Sequence, residues 1–190
     1  MESKKGKIIV IVAPSGAGKS TLIERLKKDF PGLSESISCT TRPVRNGETN
    51  GVEYNFITKE EFEKRIDEND FIEWALVHGN YYGTSKSFVE SGLSTGVSLL
   101  FDLDVQGCDS FKNHYGSEAV VIFIEPPSIE ELEKRLLSRG TESTATIKLR
   151  IENAKNELGR KSDFDYAVLN DDLEKAYCEL KEIVQSITER

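Results

Sequence analysis

Residues 8–26, with the sequence IIVIVAPSGAGKSTLIERL, constrain the fold more than any other part of the chain. The six apolar residues 8–13 are too few to cross a membrane, but they suit a strand that is buried on both faces. Glycines, a lysine and hydroxyl residues follow, and apolar residues then recur at helical spacing until Pro31 and Gly32. A strand, a glycine-rich turn and a helix in this order predict an anion site made of backbone N–H groups and the helix start.

The turn fits the phosphate-binding pattern G-x-x-x-x-G-K-[ST], except that Ala13 stands where the pattern has glycine. Pro14 favours an extended backbone at position 13, which alanine adopts without strain. In this pattern Lys19 reaches the β- and γ-phosphates of a nucleotide, and the Ser20 hydroxyl binds Mg²⁺. The alternative is an ordinary glycine loop between a strand and a helix. The predicted ATP-binding residues of this phosphate loop (residues 13–21) are Ala13, Pro14, Ser15, Gly16, Ala17, Gly18, Lys19, Ser20 and Thr21.

Length and composition narrow the function classes. A chain of 190 residues suits one domain with a sizeable core and room for an inserted lobe. The net charge of -8 argues against a general nucleic-acid binder, so any phosphate site must depend on locally clustered cations. Three widely spaced cysteines fit a reducing compartment with free thiols. With no credible signal peptide and no stretch long enough for a transmembrane helix, we expect a cytoplasmic protein that does not bind membranes.

Three further apolar runs, residues 97–103, 119–124 and 166–169, are typical of buried strands, and helical patterns lie between them. Capping boxes at Ser128 and Thr58 mark two helix starts. This alternation predicts an α/β fold with a mostly parallel sheet and helices on both faces. Residues 37–83 instead carry Asn-Gly turns and short strand patterns, which predict a small antiparallel lobe. Residues 137–161 are polar and rich in arginine and lysine, and we interpret them as a mobile cover over the phosphate site.

Eight short motifs occur in order between residues 7 and 172: APSGAGKST, TTRPVRNGE, EYNFI, FIEWA, GNYYGTS, DLDVQG, RLLSRGTE and VLNDD. In sequence and spacing they resemble the motifs of guanylate kinases. The resemblance implies phosphoryl transfer from ATP to GMP, giving ADP and GDP, with Mg²⁺ as cofactor. It also implies a phosphate-loop core (residues 1–36, 84–136 and 162–190), a GMP-binding lobe (residues 37–83) and a helical lid (residues 137–161).

The motif TTRPVRNGE places two arginines three residues apart. Arg42 and Arg45 suit a fork on a terminal phosphate, since guanidinium groups bind phosphate oxygens in pairs. Tyr54 and Tyr82 can donate hydroxyl hydrogen bonds to the same phosphate. The alternative is a solvated hairpin with exposed arginines, and the resemblance favours the phosphate site.

Glu73 lies in the apolar pattern of FIEWA, where pattern alone favours a glutamate at a solvent edge. A carboxylate there can also accept the two donors of a guanine edge, while hydroxyl groups serve its O6. The resemblance implies this role for Glu73 with Ser38 and Thr84, and places Asp104 near the guanine amino group.

Asp102 and Asp104 stand at the end of the apolar run 97–103. A carboxylate at a strand end beside a phosphate loop is a usual partner of Mg²⁺, so we predict that Asp102 binds the metal, through water. The alternative role is a helix N-cap. DVQG also matches the D-x-x-G of regulatory GTPases, but no Asn-Lys-x-Asp motif for guanine is present.

The lid candidates are Arg139 and Arg150, and the alternative for each is an ordinary place on a helix surface. The resemblance implies that both close onto the transferring phosphoryl group, so the predicted catalytic set is Lys19, Arg45, Arg139 and Arg150. Arg135 and Asn170 are predicted near the adenine. A rival function is a guanylate-kinase-like module that binds phosphopeptides without catalysis, but Lys19 and Ser20 argue against it. The sequence leaves monomer or homodimer undecided.

Overall fold

The computed structural model describes residues 5–77, 79–138 and 144–189, and it has two sheets flanked by helices. Two short 3₁₀ turns, Gly116–Glu118 and Lys161–Asp163, lie between the named elements. The elements in chain order are β1 (Ile8–Val12), α1 (Lys19–Asp29), β2 (Leu33–Glu35), β3 (Cys39–Thr40), β4 (Asn55–Phe56), α2 (Lys59–Asp67), β5 (Phe71–Val77), β6 (Asn80–Ser85), α3 (Lys86–Ser94), β7 (Ser98–Leu103), α4 (Val105–Tyr115), β8 (Ala119–Glu125), α5 (Ile129–Ser138), α6 (Thr144–Gly159), β9 (Tyr166–Leu169) and α7 (Leu173–Glu189).

The main sheet has the strand order β2-β7-β1-β8-β9, and each neighbouring pair is parallel. β1 is central, with Ile8 opposite Leu99 of β7 on one side and Ala119 of β8 on the other. Every residue of β1 is buried, as expected for a strand covered on both faces. The predicted α/β fold with a mostly parallel sheet is confirmed.

The side chains of β1 alternate between two cores because successive residues of a strand point to opposite faces. Ile9 and Ile11 pack in the core that α1 and α7 cover. Ile8, Val10 and Val12 pack in the core that α3 and α4 cover. The phosphate loop therefore leaves a strand that is held from both sides.

The second sheet has the strand order β4-β3-β6-β5 and belongs to the predicted lobe, although β6 extends to Ser85, past the predicted boundary at residue 83. β3 with β6 and β5 with β6 are antiparallel, but β3 with β4 is parallel, so the prediction of an antiparallel lobe is wrong at that pair. Gly47 and Gly51, with φ of +91° and +82°, shape a crossover between β3 and β4. β4 therefore runs parallel to β3, whereas a hairpin would have made the two strands antiparallel.

The predicted helix starts are confirmed by their caps. Thr58 accepts a hydrogen bond from the backbone N–H of Glu61 at 3.1 Å, and Ser128 accepts one from Glu131 at 3.1 Å. In the predicted lid, α6 packs on α5 through Ile147, Ile151 and Ala154. Within the described residues, no helix combines the length and apolar character needed to span a bilayer. The three cysteines are free thiols.

Candidate active site

The phosphate loop forms a tight turn between β1 and α1. Gly16 and Gly18 both have φ of +95°, a backbone conformation that side chains with a Cβ rarely adopt. Ala13 has no such strain, because Asn69 is the one described non-glycine residue with a positive φ. The loop encloses a cavity of about 350 Å³. Its lining residues are Ala13, Pro14, Ser15, Gly16, Gly18, Lys19, Ser20, Thr21, Asp104 and Glu157.

Three of the predicted ATP-binding residues, Ala17, Arg135 and Asn170, do not line this cavity. Ala17 is fully buried, and its carbonyl accepts a hydrogen bond from Nδ2 of Asn170 at 2.6 Å. Nη2 of Arg135 donates in turn to the Asn170 carbonyl at 3.4 Å. A Cβ at Gly18 would collide with the Asn170 amide. Asn170 and Arg135 support the shape of the loop, and their place near the adenine stays a prediction.

Lys19 is held at the carboxyl end of β7. Its Nζ donates to the carbonyl of Leu103 at 2.8 Å and forms an ion pair with Asp102. The lysine therefore links the phosphate loop directly to the strand end that was predicted to carry the metal-binding aspartate. Asp102 also lines a second cleft, whereas Lys19 lines the phosphate-loop cavity, so the ion pair joins the walls of the two clefts.

The residues around Lys19 fit a magnesium nucleotide. Ser20 lines the loop cavity and Asp102 lies beside Lys19, and hydroxyl and carboxylate oxygens are ligands that Mg²⁺ accepts. In the described ranges, no group of three or more His, Cys, Asp or Glu side chains is arranged to hold a metal ion. Mg²⁺ usually binds through one or two protein oxygens together with substrate phosphates, so this donor set fits it.

Asp104 is a helix N-cap, the role that was considered as the alternative to metal binding at the end of β7. It is the N-cap of α4, and its Oδ1 accepts a hydrogen bond from the backbone N–H of Gly107 at 2.8 Å. The D-x-x-G match is thus explained by a helix cap. Asp104 also lines the phosphate-loop cavity, where a nucleotide would lie.

Glu73 and Thr84 face each other across the antiparallel pair β5 and β6. The Thr84 hydroxyl, which is buried, donates to Oε1 of Glu73 at 2.6 Å. Burial raises the pKa of Glu73, the Thr84 hydrogen bond opposes this rise, and the negative charge of Asp104 adds to it. The structure therefore gives Glu73 surroundings unlike a solvent edge. A carboxylate that is partly desolvated and oriented by one donor is typical of a recognition site.

A cleft of about 430 Å³ lies beside this pair, and Ser38, Tyr54, Thr84 and Asp102 contribute to its walls. Tyr54 and Tyr82 pack edge to face, with ring centroids 5.8 Å apart. Ser38, Tyr54 and Thr84 of the predicted acceptor residues thus line one concave surface, and Glu73 and Tyr82 contact members of that lining.

The two arginines of TTRPVRNGE have different surroundings. Arg42 is buried and forms a two-point ion pair with Glu48, at 2.7 and 3.0 Å. Its Cζ also lies 5.4 Å from the ring centroid of Tyr54. Arg45 is exposed. The simple alternative of two solvated arginines is therefore wrong for Arg42.

α6 carries the predicted lid arginine Arg150 to the phosphate loop. Nη1 of Arg150 donates to Oγ of Ser15. The end of this helix is attached to α4, because Arg160 forms a two-point ion pair with Asp109 at 2.7 and 2.9 Å. Arg139, the other predicted lid arginine, lies outside the described residues.

Comparison with known proteins agrees with this geometry. A family model described as Guanylate kinase matches residues 5–187. The guanylate kinase of Thermotoga maritima is 48% identical over 182 residues, covering 96% of this chain and 87% of that protein. The chain belongs to the guanylate kinase family. The guanylate kinase of Bdellovibrio bacteriovorus is 43% identical, covering 96% of this chain and 98% of that protein.

Two solved structures share the fold. The crystal structure of guanylate kinase from Anaplasma phagocytophilum matches with a TM-score of 0.72 at 31% identity, covering 98% of this chain and 88% of that chain. The SH3-kinase fragment of tight junction protein 3 matches with a TM-score of 0.54 at 13% identity, covering 61% of that chain. The second likeness concerns the fold alone.

Sequence reasoning missed two carboxylates of this guanylate kinase site. Glu157 of α6 lines the phosphate-loop cavity, and its Oε2 is buried without a hydrogen bond to the described residues. Burial raises its pKa, as does the charge of Asp104, while Lys19 opposes the rise. The sequence around Glu157 is polar and carries no motif, so nothing in it marked this residue as part of a site. Glu48 is the second, and its only signal was its place in the TTRPVRNGE motif.

Proposed function

We propose that the chain transfers the γ-phosphoryl group of ATP to GMP, giving ADP and GDP, as an enzyme of purine nucleotide metabolism. The observation that carries this proposal is the position of the two clefts. The phosphate-loop cavity and the cleft of the lobe both border the carboxyl end of β7: Asp104 lines the first and its charge acts on Glu73 of the lobe, while Asp102 lines the second and pairs with Lys19 of the loop. A donor in one cleft and an acceptor in the other would meet at that strand end.

The phosphate loop supplies the donor half of the proposed reaction. Its backbone N–H groups and the start of α1 would bind the ATP phosphates. Lys19 would leave Asp102 for the β- and γ-phosphates, since a phosphate offers more negative charge than one carboxylate. Ser20 and, through water, Asp102 would hold Mg²⁺, which when bound offsets negative charge on the phosphate oxygens.

The lobe supplies the acceptor half. Arg42, Arg45, Tyr54 and Tyr82 would bind the phosphate of GMP. Glu73, oriented by Thr84, would accept the N1 and N2 protons of guanine, and Asp104 would lie near the amino group. The Ser38 and Thr84 hydroxyls are the donors proposed for guanine O6; because the single Thr84 proton is donated to Glu73 in the ligand-free protein, Thr84 would serve O6 only after guanine donors replace it at Glu73.

The transfer needs no covalent intermediate, because phosphoryl transfer depends on alignment and on neutralising charge at the phosphoryl oxygens. Arg150 already reaches the phosphate loop at Ser15, which supports its proposed contact with the transferring group. With Arg139, it would close the site and exclude water, and this suppresses ATP hydrolysis.

A coupled assay of ADP formation tests the function directly. Purified protein with Mg²⁺ and ATP should form ADP when GMP is added, and little without it. No ADP formation with GMP would leave the phosphopeptide-binding alternative, which the intact Lys19 and Ser20 of the loop do not favour. The cytoplasmic location stays a prediction.

A further inference from the structure

Glu48 holds the Arg42 guanidinium in one orientation. Its Oε1 accepts from Nη2 at 2.7 Å and its Oε2 accepts from Nη1 at 3.0 Å. The two side chains are only 9% and 18% exposed. An ion pair that is taken out of water gains little stability unless its geometry is good, so a buried pair at a binding site suggests a purpose other than stability.

The same carboxylate also fixes the second arginine of the motif. Oε2 of Glu48 accepts a hydrogen bond from the backbone N–H of Arg45 at 2.8 Å. One side chain therefore ties the guanidinium of Arg42 to the backbone that carries Arg45. The pKa of Glu48 is held below its usual value, first by the Arg42 hydrogen bonds and then by that of Arg45, so the carboxylate is ionised at neutral pH.

The contacts of Arg42 leave one edge of its guanidinium for a ligand. Nη1 uses its two protons on Glu48 and on the Pro43 carbonyl, which is 2.9 Å away. Nη2 uses one proton on Glu48. Of the five N–H donors of an arginine, Glu48 and Pro43 leave the second Nη2 proton and the Nε proton, which point from the same edge. The Tyr82 side chain is also a hydrogen-bond partner of this guanidinium, so it would share the ligand with Arg42, and the Tyr54 ring lies 5.4 Å from the Arg42 Cζ.

We propose that Glu48 is a positioning residue for the acceptor phosphate: it turns the remaining edge of Arg42 toward the GMP phosphate and fixes Arg45 beside it. The inference rests on the proposed assignment of Arg42 and Arg45 to that phosphate. A two-point fork binds phosphate only in one plane, so an arginine that is free to rotate would lose both affinity and alignment.

Glu48→Gln tests the proposal with the size of the side chain conserved. The amide can accept from one guanidinium nitrogen, but its NH₂ group opposes the other, so the fork is no longer held. GMP affinity, measured by calorimetry, should fall about tenfold to a hundredfold, as expected for lost hydrogen bonds to charged groups. Affinity for guanosine, which has no phosphate, should stay within about twofold, because the base contacts at Glu73 and Thr84 remain. The KM for GMP should rise more than kcat falls.

A matched control is Asp70→Asn. Asp70 forms an ion pair of similar exposure with Arg65 in the same lobe, and its Oδ2 accepts from Nε at 2.8 Å and Nη2 at 2.6 Å. This variant should lower the unfolding temperature but leave the ratio of GMP to guanosine affinity unchanged. Combining Glu48→Gln with Arg42→Ala should add little to the effect of Arg42→Ala alone, because the group that Glu48 orients is then gone.

Unchanged GMP affinity in Glu48→Gln would overturn the proposal. Tighter GMP binding would also overturn it, since Glu48 would then compete with the phosphate for Arg42. Equal losses for GMP and guanosine would show a purely structural role. These results differ from a failure of the proposed function, in which the wild-type protein itself would not phosphorylate GMP.

Discussion

Lys19 and Asp102 form an ion pair across the space between the phosphate loop and the carboxyl end of β7. The lysine side chain is 18% exposed and the aspartate 40%, so the pair lies at the mouth of the site. Each residue is proposed to bind a different part of the magnesium nucleotide. The pair therefore keeps the two groups close together and must separate when the nucleotide binds.

Replacement of Lys19 by methionine should reduce kcat about 10²- to 10⁴-fold, because it removes one group that stabilises charge in the transition state. The fold should persist, since Lys19 lies at the surface of the cavity and methionine has a similar length. Thermal unfolding checks the fold, and the ADP assay checks turnover. Near-normal turnover in Lys19→Met would contradict the assignment of the phosphate loop.

Arg150→Ala should lower kcat by about tenfold or more while raising the KM for GMP less, because the proposed contact acts on the transferring group rather than on bound GMP. The same result is expected for Arg139→Ala. Leu149→Ala is the control, since Leu149 is exposed on the same helix and lies next to Arg150. Steady-state kinetics at varied GMP separates the two constants. An effect on the KM alone would place the arginine at the acceptor instead of the lid.

The wild-type protein should prefer GMP over AMP by about 10⁴-fold or more in kcat/KM. Adenine has no N1 proton and no N2 amino group, so it would leave the Glu73 carboxylate without its donors. Glu73→Gln should reduce this preference, because an amide accepts less well and its NH₂ group opposes a donor. Thr84→Val removes the hydroxyl that donates to Glu73 at 2.6 Å, and it should also reduce the preference for GMP over AMP. Comparable use of AMP by the wild type would remove the physical support for guanine selection.

Guanosine binding should weaken as the pH falls, starting at a higher pH than for an ordinary glutamate. Burial and the charge of Asp104 raise the pKa of Glu73 despite the Thr84 hydrogen bond. Below that pKa the carboxyl carries a proton and cannot accept both guanine donors. Guanosine is the right probe because a phosphate monoester itself titrates near pH 6. Calorimetry from pH 7.5 downward should show this trend in the wild type, and its persistence in Glu73→Gln would assign it to another group.

The same pKa shift has a consequence for the ligand-free protein. A carboxyl with a raised pKa in the folded state binds its proton more tightly there than in the unfolded chain. Its contribution to the free energy of unfolding is therefore present below the unfolded pKa and is lost as the pH rises through the folded pKa. Urea unfolding of the wild type and Glu73→Gln over this range should show a loss in the wild type that the variant lacks.

Gly18→Ala should destabilise the protein by about 1–3 kcal/mol and abolish tight ATP binding. Its φ of +95° disfavours a side chain, and the added Cβ would collide with the Asn170 amide that supports the loop. Gly79→Ala is the matched control for the backbone effect, because its φ is +80° but no atom lies within 4 Å of the added Cβ. Thermal unfolding of the two variants separates strain from collision. Equal losses of stability would show that contact with Asn170 is unimportant.

Local sequence order was sufficient for the parts of the site that lie on contiguous residues. The phosphate loop was predictable because strand, turn and helix follow one another, and the glycines are at the positions where φ is positive. The cap at Ser128 was predictable because donor and acceptor are three residues apart. β2, α3 and α4 had no specific prediction, since their patterns are short or mixed and depend on the sheet that they pack against.

By itself, the sequence determined a parallel α/β core with a phosphate-binding loop, because apolar periodicity and turn chemistry act over neighbouring residues. Only the tertiary structure decided which side chains meet. It paired Lys19 with Asp102, 83 positions further along the chain, and it placed Glu157 of α6 against the phosphate loop. It also set β4 parallel to β3. Such contacts depend on how elements pack across the fold, and spacing along the chain carries no information about that packing.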